Sequence, residues 1–167
     1  MIAKVPSFDA TGFKKALGRF PTGVTVAIAQ NASGLAVGLT VSSFNSVSLA
    51  PPLVVWSLSA SSSSLEAFET CERYVIHVLA ADQLDLARQF STGSRDDRFA
   101  GVELARCPNG SPRLATECAA WFECHNRRRY REGDHVVLIG EVEHCHHSAA
   151  MPLIYHSGGY DLTPLGV

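Results

Sequence analysis

Serines are concentrated in one part of the chain, in a pattern that favours binding of an anion. Hydroxyls and backbone amides near the ends of strands and helices form anion-binding cradles without buried positive charge. The stretch between residues 42 and 64 holds no lysine or arginine and ten serines: Ser42, Ser43, Ser46, Ser48, Ser57, Ser59, Ser61, Ser62, Ser63 and Ser64. The polar segment 38–46 also falls where an apolar strand should continue. The pattern predicts a site for a phosphate ester carrying further hydroxyls, unless the serines only fill turns and exposed strand faces.

Three further features have both a chemical and a structural interpretation. The basic run Arg127–Arg129 fits an exposed turn or a contact to a dinucleotide phosphate, since guanidinium groups match phosphate oxygens. His135 follows Gly133-Asp134 at the start of an apolar strand, a position where a lone histidine is more often structural than catalytic. Gly158-Gly159-Tyr160 offers a flexible backbone beside an aromatic ring, suited to stacking or to a simple turn.

Several common chemistries lack support in the sequence. The chain has no Gly-x-x-x-x-Gly-Lys loop, no Gly-x-Gly-x-x-Gly motif after a strand and no Gly-x-Ser-x-Gly elbow. His144, His146 and His147 flank Cys145, but neighbours in a strand point to opposite faces and do not converge on a metal. We therefore expect no metal site.

The composition limits the classes of protein to which the chain can belong. The chain has 167 residues, of which 46% are apolar and 18% charged, with a net charge of −2. These values predict one globular domain over residues 1–167 and argue against disorder and against nonspecific nucleic-acid binding. The segment Met1–Ser7 lacks a long apolar stretch, and no run reaches 18 apolar residues, so we expect neither a secretory signal nor a membrane span. Five cysteines without a Cys-x-x-Cys pair predict reduced, mostly buried thiols and a cytoplasmic location.

The order of elements predicts a mainly β protein. Phe13, Ala16, Leu17 and Phe20 have helical spacing, and a second helix is expected over Asp82–Phe90. Ser64 is expected to cap a short helix between them. About seven short strands lie adjacent in sequence, among them the hairpin of residues 24–28 and 35–41. This order favours an antiparallel barrel with two or three flanking helices, and residues 91–113 are expected to form a long loop with a helical turn around Arg98-Phe99.

Taken together, these segments resemble the short-chain flavin reductases, a family with a flavin-mononucleotide-binding split barrel. The matching stretches cover nearly the whole chain in family order: 20–26, 38–49, 51–54, 57–64, 97–101, 133–135, 152–155 and 158–160. The resemblance implies an antiparallel split β-barrel and a homodimer. It also implies reduction of FMN or FAD by NADH or NADPH, with the reduced flavin supplied to a separate monooxygenase or halogenase.

The resemblance also implies a set of site residues. The flavin ring contacts would come from Pro21, Thr22, Gly23, Thr40, Val41, Ser42, Ser43, Asn45 and Ser46. Ser59 and Ser64 would contact the phosphate, and His135 and Tyr160 would border the nicotinamide, with His135 orienting it. Ala50 and His156 depart from residues common in the family, an acid and an arginine.

No residue stands out as a catalytic acid, base or nucleophile, which fits a reaction whose chemistry the flavin carries. The alternative function is a split-barrel carrier that holds flavin or haem without dinucleotide turnover. The sequence leaves open the choices of FMN or FAD and of NADH or NADPH, and the identity of the partner oxygenase.

Overall fold

The computed structural model describes residues 6–162, so the expectation drawn from the first residues falls mostly outside it. Within this range the chain forms four helices: α1 (Ala10–Leu17), α2 (Leu65–Thr70), α3 (Leu84–Ser91) and α4 (Arg95–Phe99). It also forms twelve strands: β1 (Thr22–Gly23), β2 (Thr25–Gln30), β3 (Ala36–Val41), β4 (Asn45–Leu49), β5 (Pro52–Ser59), β6 (Arg73–Val78), β7 (Leu104–Arg106), β8 (Pro112–Leu114), β9 (Ala120–Glu132), β10 (His135–His147), β11 (Leu153–His156) and β12 (Gly159–Leu162). None of these helices is long and apolar enough to cross a membrane.

Seven strands form one antiparallel sheet in the order β3-β2-β6-β9-β10-β5-β4. Its two edge strands, β3 and β4, are joined by residues 42–44 alone, so the sheet curls until its edges approach. The Ser43 hydroxyl ties this junction to β5, accepting from the Ser57 amide at 2.9 Å and donating to the Ser57 carbonyl at 3.0 Å. We call the junction of residues 42–44 with the facing ends of β3 and β5 the seam. The mainly β, antiparallel architecture confirms the prediction.

The sheet is buried on both faces. Trp56, Phe68 and Tyr74 pack edge to face inside the curled sheet. On the other face, Ile28 packs with Phe90 of α3. Since successive side chains in a strand point to opposite faces, β2 contributes to both cores and is apolar almost throughout.

A short hairpin, β7–β8, covers the outer face of β6 and β9, where the sequence predicted an irregular loop. The buried ring of His77 donates from Nδ1 to the Val26 carbonyl (3.0 Å) and accepts at Nε2 from the Leu114 amide (3.1 Å). Because the Leu114 backbone amide can only donate, the Nε2 atom of His77 must accept. His77 is therefore the neutral tautomer that carries its proton on Nδ1. The buried carboxylate of Glu123 accepts from the amides of Asn109 (3.1 Å) and Ser111 (3.3 Å). Two side chains of the sheet therefore fasten the hairpin by its backbone.

The His77 bridge predicts a loss of stability in mild acid. Burial lowers the pKa of His77 from 6.5 to about 4, because the charged ring would lose its hydration. The unfolded chain takes up this proton first, so the contribution of His77 is complete above pH 6.5 and is lost as pH falls toward 4. The loss amounts to about 3 kcal/mol. Urea unfolding at pH 7, 5.5 and 4 measures it.

The control is His77→Gln, which keeps one donor and one acceptor but does not titrate. Its stability should fall less than that of the wild type between pH 6.5 and 4. Parallel pH profiles for the two proteins would show that His77 is not the group responsible.

Four expectations need correction or completion. The apolar face of α1 exists, but no residue of the helix is buried. Ser64 stands at the start of α2 without a capping hydrogen bond from its side chain. The polar segment after residue 44 forms β4, and residues 91–113 contain α4, β7, the whole hairpin turn and most of β8. All five cysteines are free and four are buried, as predicted; Cys145 is exposed.

Candidate functional site

The predicted flavin contacts gather at the seam. Thr40 and Ser42 line a cleft of about 180 Å³ together with Val24, Val41, Ser91, Tyr155 and Tyr160. β3 supplies one wall of this cleft, and the β11–β12 hairpin supplies the other. Folding thus brings Tyr160 to residues nearly 120 positions earlier in the chain.

The hydroxyls at the seam are not equally available to a ligand. Thr40 donates to the Ala87 carbonyl at 2.7 Å, which ties β3 to α3. Ser43 is occupied twice by the Ser57 backbone. Asn45 accepts from the Ser46 amide at 2.8 Å. Ser42 is exposed, and no hydrogen bond to its hydroxyl is formed within residues 6–162. Of the adjacent serines, only Ser42 therefore keeps its hydroxyl free for a ligand.

The Pro21-Thr22-Gly23 segment reaches the same region through a small second sheet. β1 pairs with β11, Thr22 opposite Tyr155, and β11 pairs with β12. The Tyr155 and Tyr160 rings pack edge to face with centroids 5.4 Å apart. The Thr22 Oγ1 atom is buried without a hydrogen-bond partner in the described part of the chain. Such an orphaned hydroxyl is rare in native proteins and fits a position that a ligand completes.

A cation missed by the sequence reasoning lies beside the second group of serines. Arg98 donates from Nη1 to the Ser64 hydroxyl (3.3 Å) and to the Gly38 carbonyl (3.0 Å), and from Nε to the Thr92 carbonyl (3.2 Å). It therefore spans β3 and the start of α2. Across residues 6–162, no carboxylate lies within ion-pair distance of it.

Arg98 is positioned by the helix that carries it. α4 begins with a capping box in which the Ser94 hydroxyl binds the Asp97 amide and the Asp97 carboxylate binds the Ser94 amide. The hydrogen bond from the Ser94 side chain lowers the pKa of Asp97. Arg98 and Ser64 are 34 residues apart, so no local pattern could have paired them. The signal available for Arg98 was the Asp97-Arg98-Phe99 stretch of the family resemblance.

His135 lies beside the C-terminal end of β5, close to the seam. It pairs with Ser59 across β10 and β5, and its Nδ1 lies 2.7 Å from the Asp134 carboxylate. The hydrogen bond with His135 lowers the pKa of Asp134. Ser59 binds the Ser61 hydroxyl at 2.9 Å. No described contact joins His135 to Tyr160, so one chain does not bring the two predicted nicotinamide neighbours together.

The basic run is in strand β9 and not in a turn. Arg127 pairs with Glu141 at 2.9 Å, and Arg129 donates to the Cys71 carbonyl at 2.9 Å. Arg128 is exposed. Arg128 also donates from Nη1 to the Arg127 carbonyl at 3.3 Å. All three guanidinium groups thus make contacts within the protein, which weakens the interpretation of this run as a phosphate contact.

A larger cleft, of about 520 Å³, lies between α3 and residues 100–103 and 114–116, and no predicted site residue lines it. Its glutamines are occupied: Gln83 binds the Ala80 amide and the Glu117 carbonyl, and Gln89 binds three backbone carbonyls. The volume of a cleft alone therefore does not locate the candidate flavin site. Within residues 6–162, no group of three His, Cys, Asp or Glu side chains could hold a metal ion.

Comparison with known proteins agrees with this geometry. The "Flavin reductase like domain" family matches residues 17–163. The reductase subunit Stc3 of stachydrine N-demethylase from Rhizobium meliloti is 39% identical over 157 residues, which cover 94% of this chain and 67% of that protein. The FMN reductase (NADH) SmoA from Agrobacterium fabrum is 39% identical over 152 residues, covering 91% and 85%.

The fold is shared as well. The NADH:FAD oxidoreductase SgcE6 of Streptomyces globisporus, solved with NAD and FAD fragments, superposes with a TM-score of 0.87 at 30% identity, covering 98% of this chain and 99% of that one. A second similar Rhizobium meliloti protein is longer, and this chain spans 50% of it. The split-barrel prediction is thereby confirmed. The chain belongs to the family of proteins built on the flavin reductase like domain.

Proposed function

We propose that this protein is an NAD(P)H-dependent flavin reductase that transfers a hydride from NADH or NADPH to FMN or FAD. The observation that carries the proposal is a set of polar groups around the seam that keep hydrogen-bonding capacity or charge unused within residues 6–162. The Thr22 hydroxyl is buried without a partner, the Ser42 hydroxyl is free, and Arg98 has no carboxylate partner among the described residues. The names of SmoA and SgcE6 support the same pair of substrates.

The residues present fit a flavin. Pro21, Thr22 and Gly23 with Thr40–Ser46 would border the ring, and Ser59, Ser64 and Arg98 would hold the phosphate. The bound flavin would accept the hydride at its ring nitrogen N5. The protein contributes orientation and exclusion of water rather than acid–base chemistry. His135, held by Asp134, would orient the nicotinamide.

A second copy of the chain would complete the site. Ligand pockets commonly enclose roughly 300–1,000 Å³, whereas the seam cleft measures about 180 Å³ in one chain. Large apolar side chains are exposed on both sides of the seam: Phe20 (69%) before β1, and Val47 (52%) and Leu49 (94%) on β4. Burial of these side chains favours a homodimer. Sedimentation equilibrium of the wild type and of Leu49→Asp, which should shift toward monomer, tests this arrangement.

Reduced flavin would leave the protein to serve a separate oxygenase or halogenase. Stc3 is named as a reductase subunit, which supports this role. Anaerobic cytochrome c should be reduced across a dialysis membrane by reductase, NADH and catalytic flavin. Reduction that requires contact between the proteins would exclude a diffusible product. The five free cysteines are consistent with action in the cytoplasm, and we propose that residues 1–167 act as one domain.

The function is tested by following NADH and NADPH at 340 nm with FMN, FAD or riboflavin. Oxidation that depends on added flavin supports the reductase. Tight flavin binding with no oxidation for any pair would favour the carrier alternative.

The two seam serines should respond differently to substitution. Ser42→Ala should raise the FMN dissociation constant about three- to tenfold, because a free hydroxyl that binds ligand contributes roughly 0.5–1.5 kcal/mol. Ser43→Ala removes two internal hydrogen bonds and should mainly lower the urea midpoint. Flavin fluorescence quenching measures the first effect. A Ser42 variant with unchanged affinity would remove Ser42 from the site.

A further inference from the structure

A basic groove lies outside the seam cleft, where α1 ends. It has a volume of about 400 Å³ and is lined by Lys14, Lys15, Gly18, Arg19, Ser157 and Gly158. No carboxylate pairs with any of the three cations within residues 6–162. By contrast, Arg73, Arg127 and Arg131 are all paired with glutamates. In a chain of net charge −2, three unpaired cations around one groove form an anion-binding surface.

The helix end does not account for these charges. Cations near a helix C-terminus offset the macrodipole, which amounts to roughly half an elementary charge. The last turn is also closed by backbone bonds from Gly18 to the Lys14 carbonyl (2.9 Å) and from Arg19 to the Ala16 carbonyl (3.1 Å). About two and a half positive charges remain in excess.

The groove is joined directly to the hairpin that lines the seam cleft. The Ser157 amide and hydroxyl both donate to the Gly18 carbonyl, at 2.9 and 3.3 Å. Tyr155 and Tyr160, on the two strands of that hairpin, line the cleft. Ser157 follows Tyr155 by two residues, roughly 7 Å along the chain. One molecule could therefore place a ring at the cleft and phosphates in the groove.

We propose that the basic groove binds phosphate groups of the nicotinamide co-substrate. This proposal rests on the proposed reductase function, since a nicotinamide dinucleotide carries its diphosphate one ribose away from the reacting ring. The same chemistry is present in the diphosphate of both dinucleotides and in the additional 2′-phosphate of NADPH. Arg127–Arg129 are largely engaged elsewhere, which favours the groove over that run.

The test is the triple variant Lys14→Gln/Lys15→Gln/Arg19→Gln, with Arg88→Gln as a control that removes an exposed cation elsewhere. Glutamine removes the charge while keeping a polar side chain of similar helix propensity. The KM for NADH and NADPH should rise about 10- to 100-fold in the triple variant, because three exposed charge contacts to phosphate are lost together. Dissociation constants for FMN should not change. Added salt should narrow the difference from wild type.

Calorimetric titration with ADP and with adenosine 2′,5′-bisphosphate provides a readout independent of turnover. If the triple variant binds ADP more weakly and has a raised KM for both dinucleotides, the groove binds the diphosphate. If only the KM for NADPH and the affinity for adenosine 2′,5′-bisphosphate change, the groove binds the 2′-phosphate. An active variant with unchanged KM, a loss confined to FAD binding, or a raised KM in Arg128→Gln instead would each overturn the proposal. A wild type without flavin-dependent oxidation of NADH or NADPH would refute the reductase function itself.

Discussion

Replacing Arg98 with glutamine is expected to weaken FMN binding about 10- to 100-fold, because a hydrogen bond to a charged group contributes roughly 1.5–3 kcal/mol. Arg98 lies against Ser64, and no carboxylate neutralises it within the described chain. FMN fluorescence quenching gives the dissociation constant. Arg98→Lys should recover part of the affinity, since it restores the charge but not the guanidinium geometry.

Riboflavin provides the matched ligand for this experiment, since it lacks the phosphate. Its affinity should be nearly equal in wild type and Arg98→Gln. Arg98 also holds the Gly38 and Thr92 carbonyls, so a structural role would weaken both ligands equally and lower the urea midpoint. Arg88→Gln, which removes an exposed cation from α3, should leave FMN affinity unchanged.

Gly140→Ala is expected to destabilise the fold by about 3 kcal/mol or more, a large effect for a single methyl group. A Cβ atom at this position would overlap the Tyr74 hydroxyl and lie 2.9 Å from the Cys124 Cβ. Tyr74 is fully buried and is held between Trp56 and Phe68, so its ring has no room to move. The urea midpoint, with the slope of the transition, measures the loss.

Removing the Tyr74 hydroxyl should rescue much of this loss. The Oη atom is buried and has no hydrogen-bond partner among the described residues, so Tyr74→Phe alone should be close to neutral. The double variant Gly140→Ala/Tyr74→Phe should therefore be more stable than Gly140→Ala. Gly159→Ala, where the nearest atom lies 3.8 Å from the added Cβ, is the control. Equal losses at Gly140 and Gly159, or no rescue by phenylalanine, would contradict this account.

Arg98 also bears on how tightly the protein would hold flavin, and therefore on how readily flavin would be released. The absence of lysine and arginine between residues 42 and 64 predicted a phosphate held mainly by neutral hydrogen bonds. The fold adds one cation from a distant helix to that group, which would strengthen binding of a phosphate without surrounding it with charge. One charged contact among hydroxyls is compatible with a flavin that binds, is reduced and departs.

Much of the fold follows from local patterns in the sequence. The β-branched run 24–28 and the turn near Gly34 predict the β2–β3 hairpin, because a buried strand and a glycine at positive φ are local requirements. The polar segment 38–46 could be predicted as one part of the proposed site for the same reason: its residues are close in sequence and stay close in space. The family resemblance added Pro21–Gly23 and Tyr160, which no local pattern would have joined.

Which polar groups remain free depends on contacts between residues far apart in the sequence. Ser42 and Ser43 are neighbours with the same side chain, yet only the Ser43 hydroxyl bonds to the Ser57 backbone, because folding places the junction beside the end of β5. Arg98 meets Ser64, and His77 and Glu123 meet a hairpin, across separations that strand order and curvature set. Local patterns and the family resemblance predicted the class of the fold and most of the proposed site residues, but not the role of Arg98. The pairing of distant residues fixed how much hydrogen-bonding capacity each group keeps for a ligand: the Ser43 hydroxyl is used twice within the protein, whereas Arg98 bonds through Nε and Nη1 and keeps Nη2 free of hydrogen bonds within residues 6–162.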